Sequence, residues 1–375
     1  MGLAVLEYTV LAAAFWMQWR VASRWRDERP GSRIRPAAIL ASYTILLITL
    51  ALNSKFIFGL IPLWWATWLK GATLAWAFCL VAIYIAFELS SRIPPFDPAR
   101  RKVLVATRAA LCAAPIAATG FGVLVRKQFD VREIDIAIRG LPPDLHGLRM
   151  VQISDIHLSP FLNETELAYV IDMANETKAQ LALVTGDLIT TRRDPLDACI
   201  QQLKRLKADA GVLSCLGNHE RFADAENYTT KQCGRLGIEV LRSKARALKF
   251  GSAVLNVAGV DYQSTKDPYL EGTESLVVRE PNHLNILLSH NPDVFPVAAK
   301  QGFDLTVAGH THGGQVSVEI LSRHLNVAKF FTPYTYGLYR EGNSAIYVTR
   351  GIGTVGIPVR IGAPPEVALI RLCAS

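Results

Sequence analysis

Several short apolar runs in the C-terminal two-thirds of the chain each stop at a residue type that binds metals. Residues 148–154 lead into Asp155-Ile156-His157, and 181–185 into Gly186-Asp187. Residues 211–216 lead into Gly217-Asn218-His219-Glu220, 284–288 into Ser289-His290, and 305–308 into Gly309-His310-Thr311-His312. Apolar runs of this length, bounded by glycine and polar residues, read as buried strands. In open α/β sheets, sites are built at the C-terminal edge of the strands. Of the eight histidines, 157, 219, 290, 310 and 312 lie at such exits and 146, 283 and 324 do not. The pattern therefore requires a fold that gathers strand ends.

The intervening residues fit that demand. Asn163 is a plausible N-cap for a helix over 164–178. Asp194-Pro195 opens a second helix to about residue 207, with proline in the first turn. Further strands are expected at 134–138, 253–259, 345–349 and 367–372. Helices and strands alternate early and strands crowd late, which predicts α/β layers.

The first third of the chain differs. Residues 3–19, 36–52, 71–87 and 103–125 are apolar runs near the minimum of about 17–20 residues that a helix needs to cross a bilayer. They raise the chain to 50% hydrophobic residues and a mean hydropathy of +0.23. We read four spans, with 56–69 as a re-entrant or interfacial piece carrying Pro62, Trp64, Trp65 and Trp68; a fifth short span is the alternative. The expected division is a membrane region at 1–128 and a globular domain at 129–375. Residues 1–132 hold 16 Lys and Arg against 6 Asp and Glu, whereas the remainder is nearly balanced. The net charge of +8 is thus a matter of membrane topology rather than a nucleic-acid footprint. Basic residues crowd two connections, Arg20 to Arg35 and Arg92 to Lys102. Placing both in the cytoplasm predicts a multi-pass inner-membrane protein whose C-terminal domain faces the periplasm. Arg126, Lys127 and Arg132 run against that orientation. Arg100-Arg101-Lys102-Val103-Leu104 also resembles a degraded twin-arginine signal, which would export the same domain. Arg108 lies near the start of its span and is expected to snorkel. The six cysteines lack zinc-type spacing and read as buried apolar residues, with a disulfide among Cys199, Cys215, Cys233 and Cys373 open in an oxidising compartment.

Two carboxylates, several imidazoles and an amide exceed what one structural zinc takes, and no cysteine is among them. Nitrogen and oxygen donors suit Mn, Fe, Zn or Co. Two divalent ions about 3.5–4 Å apart, sharing a carboxylate, would use the whole set, lower the pKa of water and clamp a phosphoryl oxygen. The ordered motifs Asp155-x-His157, Gly186-Asp187, Gly217-Asn218-His219-Glu220, His290 and Gly309-His310-x-His312 resemble the calcineurin-like metallophosphoesterase superfamily over residues 134–375. The resemblance implies a four-layer αββα sandwich, here preceded by the all-α multi-span region. It implies that Asp155, His157 and His312 bind one metal, that Asn218, His290 and His310 bind the other, and that Asp187 bridges. His219 would be catalytic, protonating the leaving group or stabilising the transition state, oriented by Asp155.

The tail Arg350-Gly351-Ile352-Gly353-Thr354, with Arg360 and Pro364-Pro365-Glu366, resembles small bacterial, often exported or membrane-attached members. These include general phosphodiesterases and UDP-diacylglucosamine pyrophosphatases. Arg350 and Arg360 are candidates, with Asn218, for contacting substrate phosphate; structural arginines are the alternative. Glu220 reads as a second-layer or solvated group. Tyr334, Tyr336, Tyr339, Phe330 and Phe331 read as a packed loop, with a lipid-facing lip as the alternative. The expected activity is hydrolysis of a phosphodiester, phosphomonoester or pyrophosphate, on a lipid-linked or envelope substrate. The competing readings are a cytosol-facing pyrophosphatase of lipid A synthesis and a non-enzymatic metal-dependent sensor or transporter accessory.

Overall fold

The computed structural model describes residues 2–28, 34–91, 98–264, 269–320 and 323–375. Side chains are described for these except at 2–7, 24–28, 34–35, 55, 90–91, 98–102, 104–105, 108, 318–320, 323–325 and 327. The snorkelling expected of Arg108, and the basic clusters at 24–35 and 92–102, lie outside the described side chains. The chain folds as two units, 1–124 with 356–359, and 125–355 with 360–375.

The first unit is helical: α1 (Gly2–Glu28), α2 (Ile34–Leu52), α3 (Lys55–Leu60), α4 (Leu63–Ser91) and α5 (Pro98–Val125). Among the described residues one helix, over Leu63–Leu89, is both long and apolar enough to cross a membrane; Pro36–Leu52 and Ala109–Val125 are shorter apolar stretches. Residues 56–69 do not form one piece. Ile61 is extended (φ −96°, ψ 141°), as the residue before a proline prefers, and Pro62 ends α3. Trp64, Trp65 and Trp68 then fall in the first turns of α4. Leu11, Ala14, Leu46, Ala77 and Leu80 pack between α1, α2 and α4. Alongside them Trp76 Nε1 donates to Ser42 Oγ (3.0 Å), which donates to Gln18 Oε1 (2.9 Å).

The second unit holds two six-stranded sheets. In chain order its elements are β1 (Asp130–Ile138), β2 (Arg149–Ile153), α6 (Glu164–Glu176), β3 (Leu181–Thr185), α7 (Leu196–Leu203), β4 (Val212–Cys215), α8 (Asn218–Phe222), α9 (Glu226–Arg235), β5 (Ile238–Val240), β6 (Lys244–Phe250), β7 (Ala253–Gly259), β8 (His283–Leu288), α10 (Phe295–Gln301), β9 (Leu305–Ala308), β10 (Ser317–Ile320), β11 (Arg323–Asn326), β12 (Gly337–Glu341), β13 (Ser344–Val348) and β14 (Glu366–Ala374). One sheet has the order β1-β14-β2-β3-β4-β5, the other β12-β13-β9-β8-β7-β6. The strands β2 to β5 are mutually parallel, as are β7, β8, β9 and β13. Ile136, Met150 and Leu183 of the first sheet share one core with Leu255, Ile286, Val307 and Tyr347 of the second. The outer face of the first sheet packs on α6, α7 and α9 through residues such as Val170, Ile171 and Cys233. The second packs on α10 through Ala298 and Phe295. Helix α6 begins where expected: Asn163 Oδ1 accepts from Glu166 N and Glu166 returns the bond, a capping box. All six cysteines are free.

Candidate metal centre

The parallel run of β2, β3 and β4 aligns three strand exits, and β8 and β9 align two more. Each candidate ligand sits within four residues of such an exit. Asp155, His157, Asp187, His310 and His312 all adopt positive φ, between 46° and 76°. That conformation costs a non-glycine residue about 1–2 kcal/mol, so surrounding contacts must enforce it. They do: Asp155 N donates to Gly186 O (3.1 Å), His157 N to Asp187 O (3.0 Å) and Gly309 N to His290 O (3.2 Å). The loops therefore hold one another. Two glycines permit the closeness. A Cβ on Gly217 would collide with the Asp187 carboxylate and sit 2.6 Å from its backbone nitrogen, and one on Gly309 would collide with Ser154 Oγ and Asp155 Oδ2.

The side chains converge as two joined clusters. Potential ligand atoms of Asp155, His157 and His312 lie within 4.8 Å of one another, as do those of Asp187, His290 and His310. His157, Asp187 and His219 form a third such trio that links the two. His157 Nε2 is 3.1 Å from His312 Nε2 and 3.5 Å from Asp187 Oδ2, and His290 Nε2 is 3.0 Å from the same Asp187 oxygen. Outer contacts fix the rings: His290 Nδ1 donates to Thr185 O (2.6 Å), and His157 Nδ1 lies 3.1 Å from Thr190 Oγ1. Buried polar atoms are nearly always hydrogen-bonded. Here Asp155 Oδ2, Asn218 Oδ1 and His312 Nδ1 are buried without a hydrogen-bond partner. Unspent oxygen and nitrogen donors in one place fit hard or borderline divalent cations.

Electrostatics separate the imidazoles. Burial, and then the field of neighbouring histidines, pushes His157 and His310 down to about 3 and His312 well below its ordinary value. All three are neutral, the form that offers a lone pair. Burial also opposes charge on His290, but Asp187 and Asp155 outweigh it and hold His290 up at about 10. Burial raises Asp155 to about 6 despite the pull of His290. Burial acts the same way on Asp187, yet His290 and His219 hold that carboxyl well below its usual range.

Two expectations need correction. His219 is not oriented by Asp155. Its Nδ1 donates to Thr190 O (2.7 Å), and its backbone N–H donates to Asp187 Oδ1 (2.9 Å). Asp155 Oδ1 instead accepts from His310 N (2.9 Å) and lies 3.4 Å from His312 Nε2. Arg360 does not face a phosphate. It is 1% exposed, and its three guanidinium nitrogens donate to the carbonyls of Gly353, Ala363, Arg350 and Gly351. Arg350 does lie beside the centre: its Cγ borders Gly313, its guanidinium stacks on Tyr336 (4.6 Å to the ring centre), and its Nε is buried without a partner. Tyr334 and Tyr339 are packed, edge-on to each other, whereas Phe330 and Phe331 are exposed.

Behind the ligands stand three supporting groups: Glu220, which takes the supporting and not the solvated one of its two expected places, and Thr190 and Tyr262, which the motif pattern does not reveal. Glu220 is fully buried and accepts from Gly217 N (2.8 Å), Asp187 N (3.0 Å) and Leu188 N (2.7 Å). Thr190 anchors two histidines. Tyr262 sets its ring 5.4 Å from that of His310 and 6.1 Å from that of His290.

Residues 148–314 match the calcineurin-like phosphoesterase family. The chain is 31% identical over 237 residues to the uncharacterized metallophosphoesterase YkuE of Bacillus subtilis, covering 62% of this chain and 81% of that one. It is 28% identical over 232 residues to phosphodiesterase YaeI of Escherichia coli, covering 60% and 82%. It is 31% identical over 265 residues to a transmembrane protein with metallophosphoesterase domain of Danio rerio, covering 64% of this chain but 57% of that one. The strand-exit motifs, the clustered Asp and His donors and these relatives together establish that the chain belongs to the calcineurin-like metallophosphoesterases and is a hydrolase.

Proposed function

We propose that the chain is a membrane-tethered dimetal phosphoesterase. In this reading Asp155, His157 and His312 hold one divalent ion, Asn218, His290 and His310 hold the second, and Asp187 is shared. The observation that carries it is the pair of ligand trios joined through Asp187. Bound there, two cations would acidify water and offset the charge of a phosphoryl group in in-line attack. The protein groups do the rest. A carbonyl can only accept, so the Thr190 bond makes His219 Nδ1 the donor and leaves Nε2 for the chemistry; with a second proton on Nε2 the imidazolium would hand that proton to the leaving oxygen and return to the Nδ1–H tautomer. Asn218 offers its unpartnered Oδ1 to an ion. Arg350, whose Cγ borders Gly313 beside His312 and whose Nη1 pairs with Glu366 (3.5 Å), is a candidate phosphate contact.

The membrane half of the reading rests on the first unit. Its 27-residue apolar stretch spans about 40 Å at 1.5 Å per residue, more than the roughly 30 Å hydrocarbon core. Leu40, Leu60, Trp65 and Leu124 are 64–77% exposed while Gln18, Ser42 and Trp76 hydrogen-bond inside. Apolar outside and polar inside suits lipid as solvent. The division near residue 125 supports a membrane region at 1–128 and a catalytic domain at 129–375. The basic connections favour four spans with the catalytic domain outside the cytoplasm, acting on a lipid-linked or envelope phosphate ester.

The test uses full-length protein in detergent with Mn²⁺ and bis-p-nitrophenyl phosphate. We expect turnover that His219→Ala lowers by about 10²–10⁴. A protein that binds two metals yet leaves phosphomonoesters, phosphodiesters and nucleotide-lipid pyrophosphates intact would refute the reading. Alkaline phosphatase fused after Ser375 should be active; a silent fusion would move the site to the cytosol and favour a lipid A pyrophosphatase.

A further inference from the structure

Beside the metal centre lies a cavity of about 190 Å³ lined by Leu216, Gly217, Arg221, Glu226, Asp261 and Tyr262. It abuts the half of the centre built from Asn218, His290 and His310. Gly217 immediately precedes Asn218, and Tyr262 places its ring against those of His290 and His310. A phosphoryl group held at the metals would point one ester substituent into it.

The lining says what that substituent is. Glu226 and Asp261 bring two negative charges. Arg221 brings one positive charge to the wall, its Nη1 3.4 Å from Tyr262 O. Arg242 brings another from behind, donating from Nε (2.9 Å) and Nη2 (2.7 Å) to Asp261. Arg242 also donates to Asn227 Oδ1 (2.7 Å), which pins it next to Glu226. Asp261 is held by Arg242, so among the described residues the lining is left with one charge of each sign, Glu226 and Arg221, and shows no net preference for an anion or a cation. Among the described lining residues only Leu216 and the Tyr262 ring are apolar, and an acyl chain would desolvate the charged groups without replacing their hydrogen bonds. The space equals about six waters at roughly 30 Å³ each, room for a glycerol- to hexose-sized group. Carboxylates and a guanidinium accept from and donate to paired hydroxyls, and the aromatic face covers C–H groups.

Resting on the dimetal reading above, we infer that this cavity is a subsite for a neutral polyhydroxylated substituent of the phosphate ester, a glyceryl or sugar group. Lipid, if present in the substrate, then belongs to the other ester arm.

The experiment compares bis(glyceryl) phosphate with dipropyl phosphate, its equivalent without hydroxyls, on the full-length protein loaded with Mn²⁺. Bis-p-nitrophenyl phosphate serves as the activity control. We expect kcat/KM to favour the glyceryl ester at least tenfold. Glu226→Ala and Arg221→Ala should each cut that ratio to within threefold of one. Calorimetry should show glycerol 1-phosphate binding at least fivefold tighter than propyl phosphate, which tests the subsite even if a variant fails to fold. Hydrolysis of the nitrophenyl ester with a wild-type ratio near one overturns the subsite alone, as does preference for the ethanolamine ester. Failure to cleave any of the esters overturns the site assignment beneath it.

Discussion

Replacing Glu220 by glutamine tests how the centre is held. The carboxylate is fully buried, and its two oxygens accept three backbone N–H groups from two different strand exits: Asp187 and Leu188 after β3, Gly217 after β4. Glutamine keeps one oxygen. In its better orientation it still serves Asp187 and Gly217 but turns an NH₂ toward the Leu188 N–H. One charge-assisted bond, about 1.5–3 kcal/mol, is lost, and one buried donor is orphaned for about 1–3 kcal/mol. Relief of the burial that raises the Glu220 carboxyl returns part of this. A net loss of about 2–4 kcal/mol follows, a large share of the roughly 5–15 kcal/mol that stabilises a domain. Hydrogen exchange reads it locally. At about 1.4 kcal/mol per decade, peptides covering 186–189 should lose between one and three decades of protection. Mn²⁺ affinity should fall about 10–100-fold, as for other outer supports of metal ligands. Exchange within twofold of wild type, with metal affinity unchanged, would refute the idea that this carboxylate positions Asp187.

Other perturbations separate roles. His219→Ala should lower kcat by about 10²–10⁴ while bound metal per chain stays constant, checked by elemental analysis. Gly309→Ala forces a Cβ into Ser154 Oγ and Asp155 Oδ2, so metal content itself should fall, and the same measurement distinguishes the two variants. Arg360→Met should take their side-chain partner from the carbonyls of Arg350, Gly353 and Ala363, at a cost of about 3–5 kcal/mol seen as a lower unfolding midpoint. An Arg360→Met protein of wild-type stability would restore the arginine to the list of candidate phosphate contacts.

What can be read from residues alone follows the physics of each element. Buried central strands announce themselves as apolar runs, so β3, β7, β8 and β9 are legible to within a residue. Edge strands are not: β6 reads Lys-Ala-Arg-Ala-Leu-Lys-Phe and is mostly exposed, so tertiary pairing with β7 rather than composition makes it a strand. The metal-binding types are legible because their chemistry resides in the side chain. Their geometry is not, since positive φ at Asp155, His157 and Asp187 arises from hydrogen bonds between loops distant in sequence. The same reason misplaces Arg360. An arginine among glycines looks like a phosphate contact until the loop over 350–363 closes and its carbonyls claim the guanidinium. Glu220 is visible as the residue after Asn218-His219, but its three N–H partners exist only once β3 and β4 lie side by side.

The two sheets divide the centre between them. Asp155, His157, Asp187 and Asn218 come from the exits of β2, β3 and β4, while His290, His310 and His312 come from β8 and β9. The shared core sets the spacing between the halves, together with the bonds that cross between them, His290 Nδ1 to Thr185 O and His310 N to Asp155 Oδ1. Two isoleucines make the point testable. Ile286 lies between the sheets and Ile171 lies between the first sheet and α6, and both are fully buried. Truncating either to alanine should cost about 2–5 kcal/mol, because the lost methylenes and the cavity are alike. Only Ile286→Ala lets the sheets settle toward each other, so it alone should weaken Mn²⁺ binding beyond what unfolding explains, measured well below the unfolding midpoint. Equal metal affinities in the two variants would mean that the loops, locked by their own hydrogen bonds, carry the site without help from the core.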